Sequence, residues 1–160
     1  MIIFLRAAAA LLIFIATLTQ PAFASFPPEK LGNWRLSSEH VTELTTSESR
    51  DMGKWTSASY ARTEPSGFID VQFMEGSGPT KLFVPEGIIS SDDGPIGFLS
   101  TYETLSVAGR RAVLERDSLT GQSLAAALDT QTVTFEARGI SREELLVFAE
   151  SMIEATQGGR

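Results

Sequence analysis

The sequence contains no cysteine and a single histidine, His40. The first absence excludes a disulfide framework, thiol nucleophiles, thiolate metal sites and a lipid-anchored cysteine. The second leaves any serine nucleophile with one imidazole base to call on, and no Gly-x-Ser-x-Gly elbow occurs in the chain. Basic residues are also scarce, 13 Lys and Arg against 20 Asp and Glu, for a net charge of −7. Nucleic-acid readers carry basic patches, so no nucleic-acid partner is expected. Gly76-Ser77-Gly78 lacks the lysine and following helix of a phosphate-binding loop. In 160 residues with 42% hydrophobic content, one domain with a modest core fits and a second does not.

The one long apolar run lies at the start. Arg6 precedes Ala7 to Leu18, Pro21 breaks the run, and Ala22-Phe23-Ala24 has the small-x-small pattern of a signal-peptidase site. Residues 1–24 are therefore expected to be a signal peptide cleaved after Ala24. The alternative is an uncleaved anchor, for which the run is short, since a bilayer core needs about 20 apolar residues. Export places the protein in a periplasm or outside the cell, with no stable membrane anchor after cleavage. Arg6 is the only charge removed, so the mature chain is more acidic and poorer in apolar residues than the whole.

The expected domain plan is residues 1–24 as signal, 25–53 as lead-in with a first strand or short helix, and 54–157 as a single α+β domain. Pro27-Pro28 and Gly32 suit an extended lead-in. Trp34, Leu36, Val41 and Leu44 are the only large apolar groups between residue 34 and residue 52, and this segment fits either a strand with a loose loop or a short helix from near Ser38. Residues 54–62 are rich in β-formers, with Trp55 and Tyr60 on opposite strand faces unless a bulge intervenes. Ile69, Val71 and Phe73 alternate with Asp70 and Gln72, as in a half-buried antiparallel strand. Glu64-Pro65-Ser66-Gly67 is turn chemistry between the two. Residues 76–99 are the least regular, with a short strand at 81–84 and a polar loop at 90–94.

The last third reads as a four-strand meander: residues 102–107, 110–116, 122–128 and 131–137. The third piece is rich in alanine, but Leu124, Ala126 and Leu128 alternate, which favours strand over a lone short helix. A helix follows. Ser141 and Glu144 form a capping box, and Leu145, Phe148, Ala149, Met152 and Ile153 make one apolar stripe. The expected fold class is α+β, a curved antiparallel β-sheet packed against a C-terminal α-helix.

The block from Tyr102 to Ile153 resembles a known family. Its Val107-Ala108-Gly109 hairpin, the strands on either side and the helix Ser141-Arg142-Glu143-Glu144-Leu145…Ala149-Glu150-Ser151 look like the uncharacterised extracytoplasmic domain attached to bacterial anti-sigma factors and lipoproteins. The outline is also similar to the sandwich of the PsbP and Mog1 group. The resemblance implies an α+β fold and an envelope setting. It implies no catalytic residues.

Chemistry-bearing residues are few. Asp92-Asp93 with Glu86 is the densest acidic spot; adjacent aspartates in a turn point apart, which favours a solvated turn over paired catalytic carboxylates. A weak calcium site there lacks the Asp-x-Asp-x-Asp-Gly spacing. Trp34, Trp55, Tyr60 and Tyr102 are aromatics that can line a groove, with core or edge packing the expected role of most of them. Glu86, Asp92, Asp93, Tyr102 and Trp55 are thus the candidate ligand-binding residues, with no catalytic residue, metal or cofactor expected. The expected function is a non-enzymatic exported binding or regulatory module of the bacterial cell envelope, its partner an envelope protein or a small apolar or peptide ligand. The alternatives are an envelope hydrolase using carboxylate or serine residues, and an assembly or scaffold factor acting through sheet-edge pairing.

Overall fold

The computed structural model describes residues 27–45, 51–75, 90–92, 100–117, 119–129 and 131–158. Residues 1–24, expected to be a signal peptide, together with Glu86, Asp93 and the expected strand at 81–84, lie outside them. The described residues form one antiparallel sheet and one helix. The strands are β1 (Lys30–Leu31), β2 (Trp34–Thr45), β3 (Asp51–Arg62), β4 (Gly67–Glu75), β5 (Ser90–Asp92), β6 (Thr101–Val107), β7 (Arg110–Asp117), β8 (Gly121–Ala127) and β9 (Gln131–Arg138). They lie in the order β1-β2-β3-β4-β9-β8-β7-β6-β5. The sheet is thus two runs of hairpins joined where β4 pairs with β9, from Phe68 opposite Arg138 to Glu75 opposite Gln131. The helix, α1 (Arg142–Gly158), covers one face.

Alternation decides which side chains meet the helix. Tyr60, Ile69, Val71, Phe73, Phe135, Leu124 and Leu114 fall on one face and are fully buried. The stripe of Leu145, Phe148, Ala149, Met152 and Ile153 buries against them. Tyr60 and Trp55 do fall on opposite faces of a regular strand, since β3 pairs with β4 without a register shift. The alanine-rich segment is the strand β8, and the meander β6 to β9 is present with β6–β7, β7–β8 and β8–β9 paired in turn. Residues 34–45 are strand, not helix. Their polar sequence hid this, because β2 lies at the sheet margin with little apolar cover to build. Ser90 to Asp92, expected as loop, pairs instead with Thr101 to Glu103. Strand pairing is made by main-chain groups, so a polar run does not prevent it.

Two glycines are required by packing. Gly121 closes the β7–β8 hairpin at φ +106, and a Cβ there would sit 2.6 Å from the Ala137 carbonyl oxygen. Gly67 opens β4 beneath Trp34 and Ile140, where a Cβ would come 3.0 Å from the indole and 2.7 Å from the Ile140 methyl. The hairpin before Gly121 is held by Asp117, whose carboxylate accepts the Leu119 and Thr120 N–H groups at 2.6 and 2.8 Å and the Ser100 hydroxyl at 2.9 Å. Those donors, the Thr120 N–H first, hold the Asp117 carboxyl below its ordinary range.

Candidate functional site

The helix begins where its cap predicts. The Glu144 N–H donates to Ser141 Oγ at 3.2 Å, and the Ser141 N–H donates to Glu144 Oε2 at 2.9 Å. The other carboxylate oxygen of Glu144 reaches Arg62 at 2.7 Å. One glutamate therefore caps α1 and pins its first turn to the end of β3. Arg142 makes a second tie, to Glu103 on β6 at 2.8 Å.

Arg62 is the least exposed cation of these pairs, its side chain 7% accessible. Its guanidinium carbon lies 4.7 Å from the centre of the Trp34 ring, within cation–π range. Its Nε is buried without a hydrogen-bond partner and lies close to Gly67. Trp34 meets Phe148 edge-on, with centroids 5.5 Å apart and rings inclined at 72°. Phe148 meets Tyr60 at 5.2 Å and Phe135 at 6.2 Å in the same manner. The Tyr60 hydroxyl donates to the Pro28 carbonyl at 2.7 Å, which anchors the lead-in over the core. Burial, with the charge of Glu39 adding to it, holds that phenol protonated well above its ordinary range.

This packing leaves a cleft of about 280 Å³ between α1 and the β1–β2 turn, its walls including Leu31, Trp34, Arg62, Val147, Phe148 and Ser151. Its most buried lining groups are the Trp34 and Phe148 rings and the Arg62 side chain. Val147 stands at its lip, 64% exposed and off the apolar stripe of its own helix. A wider depression of about 510 Å³ lies on the opposite face around Phe68, Asp70, Glu136 and Arg138. There the carboxylates are already engaged, Asp70 accepting from the Ser59 hydroxyl at 2.6 Å and Glu136 from the Gln72 amide at 3.3 Å. The aromatic cleft is the better candidate because Trp34 and Phe148, which line it, are buried members of the core and so hold its walls in place.

The sequence candidates lie elsewhere. Trp55 is half-buried on β3 on the helix-free face, opposite Met74. Tyr102 is on β6 on that same face, its hydroxyl donating to Glu115 at 3.1 Å. The two are five strand spacings apart in the sheet order, roughly 24 Å, so the sheet does not bring them together. Asp92 lies in β5 at the far edge. His40 is exposed on β2 opposite Ser57. Arg110, which is not among those candidates, donates through its two terminal guanidinium nitrogens to the two carboxylate oxygens of Asp129 at 2.5 and 2.9 Å. Among the described residues no three His, Asp or Glu side chains converge as a metal site, and no helix is long and apolar enough to cross a membrane.

The acid dependence of this site follows from Glu144. The Arg62 hydrogen bond, then the Ser141 N–H, hold its carboxyl below the ordinary glutamate range. A carboxyl whose pKa is lower in the folded chain stabilises it above the unfolded value, near pH ~4.3, and that contribution fades as pH falls through the folded value. Glu144→Gln is expected to lower the melting temperature at neutral pH and to converge on the parent as pH drops below that range. Thermal melts of both proteins across the acid limb read this directly; a temperature gap independent of pH would contradict it. Asp117 titrates alike in both proteins and cancels. Compared with known protein families, curated proteins and solved structures, the chain matches none.

Proposed function

We propose that this chain is an exported binding module of the bacterial cell envelope, without catalytic activity of its own, that seats an apolar side chain of a peptide or protein partner in the cleft between α1 and the β1–β2 turn. The observation that carries this is Val147, an exposed apolar residue placed at the mouth of an aromatic-lined cleft. An apolar side chain entering between Leu31 and Val147 would bury apolar surface of both. The export pattern of residues 1–24 and the resemblance of residues 102–153 to an extracytoplasmic domain favour the envelope setting.

The two tryptophans offer a simple test. In a Trp55→Phe background Trp34 alone reports on the cleft. N-acetyl amides of leucine and phenylalanine are expected to perturb its fluorescence saturably, while those of serine and glutamine do not. Val147→Lys should weaken the apolar probes at least tenfold with stability changed by no more than about 0.5 kcal/mol, as for other exposed positions. The absence of saturation, or equal affinity in the Val147→Lys protein, would overturn the reading.

A further inference from the structure

A second surface lies at the margin of the sheet and does not depend on the cleft. β2 extends to Thr45, yet β1 covers only its beginning: Lys30 faces Arg35, Leu31 faces Trp34, and the Leu36 N–H donates to the Glu29 carbonyl at 2.9 Å. The reason is in the sequence. Pro27 and Pro28 have no N–H and cannot extend the ladder, and the Pro28 carbonyl is taken instead by the Tyr60 hydroxyl on the helix side of the sheet. The lead-in therefore leaves the edge at that point. From residue 37 to residue 45 the outer backbone of β2 pairs with no strand among the described residues.

An open edge of this length is a template for another strand. Its side chains say which kind. Directly opposed residues of an antiparallel pair share a face, so Glu39, Val41 and Glu43, opposite Ala58, Thr56 and Lys54, line the helix side of the edge. All three are exposed, Val41 by 45%. No lysine or arginine lies between residues 37 and 45, and Lys54 is shared with Glu75 at 3.8 Å. A second copy is a poor occupant: two β2 strands paired about Val41 would set Glu39 of each against Glu43 of the other, and like charges directly opposed destabilise a sheet.

We infer that the β2 edge binds an extended segment of a partner by antiparallel strand addition, and that this segment carries lysine or arginine at two positions four residues apart with an apolar residue midway. Its cations then face Glu39 and Glu43 while its apolar side chain covers Val41. Main-chain hydrogen bonds hold it, and the charge pattern selects it.

The test uses the isotope-labelled chain titrated with the acetylated, amidated peptides TKTVTKT and TETVTET at low salt. The lysine peptide is expected to shift the amide signals of residues 37–45 saturably and to bind at least tenfold more tightly than the glutamate peptide. Glu39→Lys with Glu43→Lys should invert that preference. N-methylation of alternate peptide residues should abolish binding in one parity and spare it in the other, which a purely ionic attraction would not do. Val147→Lys should leave the lysine peptide's affinity unchanged, so a failure here is distinct from a failure of the cleft reading. Equal affinities for the two peptides, shifts outside β2 alone, indifference to N-methylation in both parities, or a dimer in sedimentation that buries this edge would each overturn the inference.

Discussion

Phe148→Ala is expected to destabilise the domain by about 3–5 kcal/mol, the range for emptying a buried aromatic position. Phe148 is 2% exposed and stands at the centre of the aromatic cluster, meeting Trp34, Tyr60 and Phe135 edge-on. Those three come from β2, β3 and β9, so no single neighbour can collapse into the space without parting from its own strand. Each lost ring contact adds to the area term, since edge-on pairs contribute beyond burial. A domain of this size has total stability of about 5–15 kcal/mol, and the substitution therefore removes a large share of it. Urea unfolding followed by circular dichroism measures the change as a fall in midpoint at constant slope. A loss under about 1 kcal/mol would show that α1 is not part of the cooperative core. The same reasoning explains why the cleft is probed at Val147: a change at Phe148 reports on folding before it reports on binding.

The helix was legible because everything that defines it is local. Its cap residues are three apart, and its stripe recurs within one segment. The strands β4 and β9 were legible for the same reason, each carrying its own alternation. Their pairing was not, because Glu75 and Gln131 become neighbours only when two separate hairpin runs meet. β2 was ambiguous because it is largely polar and a register shift between Leu36 and Ser38 breaks its alternation, leaving Leu36 and Leu44 on opposite faces of the sheet. The cleft was the least legible part. Trp34 stands out in the sequence as an aromatic, Glu144 as a cap and Phe148 as part of a stripe, but their relation to one another and to Arg62 exists only after β2, β3 and α1 pack together. One signal was available: Val147 is apolar yet falls off the stripe that Leu145, Phe148 and Met152 define.

The charge arrangement explains why the helix end and the sheet act as one unit. Arg62 is buried beside an indole, and removal of its carboxylate partner would leave a buried cation with the ring alone. The two oxygens of Glu144 serve the helix cap and the Arg62 contact at once, so the same side chain joins the first turn of α1 to the wall of the cleft. A ligand that prefers the closed cleft would protect the amides of residues 142–145 from exchange, a coupling that hydrogen exchange can read.

Trp34→Ala should have an effect of similar size, about 3–5 kcal/mol, and its coupling to Phe148 should be measurable. Trp34 is 5% exposed, and its ring is held on three sides: by the edge of Phe148, by the Arg62 guanidinium, and by the bare α-carbon of Gly67, where a Cβ would come within 3.0 Å. Alanine removes all three contacts and lets water reach Arg62. Trp34→Phe keeps an aromatic edge and should recover part of the loss. Because the two rings touch, the double variant Trp34→Ala with Phe148→Ala should fall short of the summed single losses by about 0.5–1.5 kcal/mol, the worth of one aromatic pair. Full additivity would mean that the β1–β2 turn packs on the helix independently of Phe148. In that case the cleft would have two walls that move separately, and an apolar side chain entering it would have to order the site as well as fill it. Coupling of the expected size instead means that the walls are fixed before a ligand arrives, which lowers the entropy cost of binding.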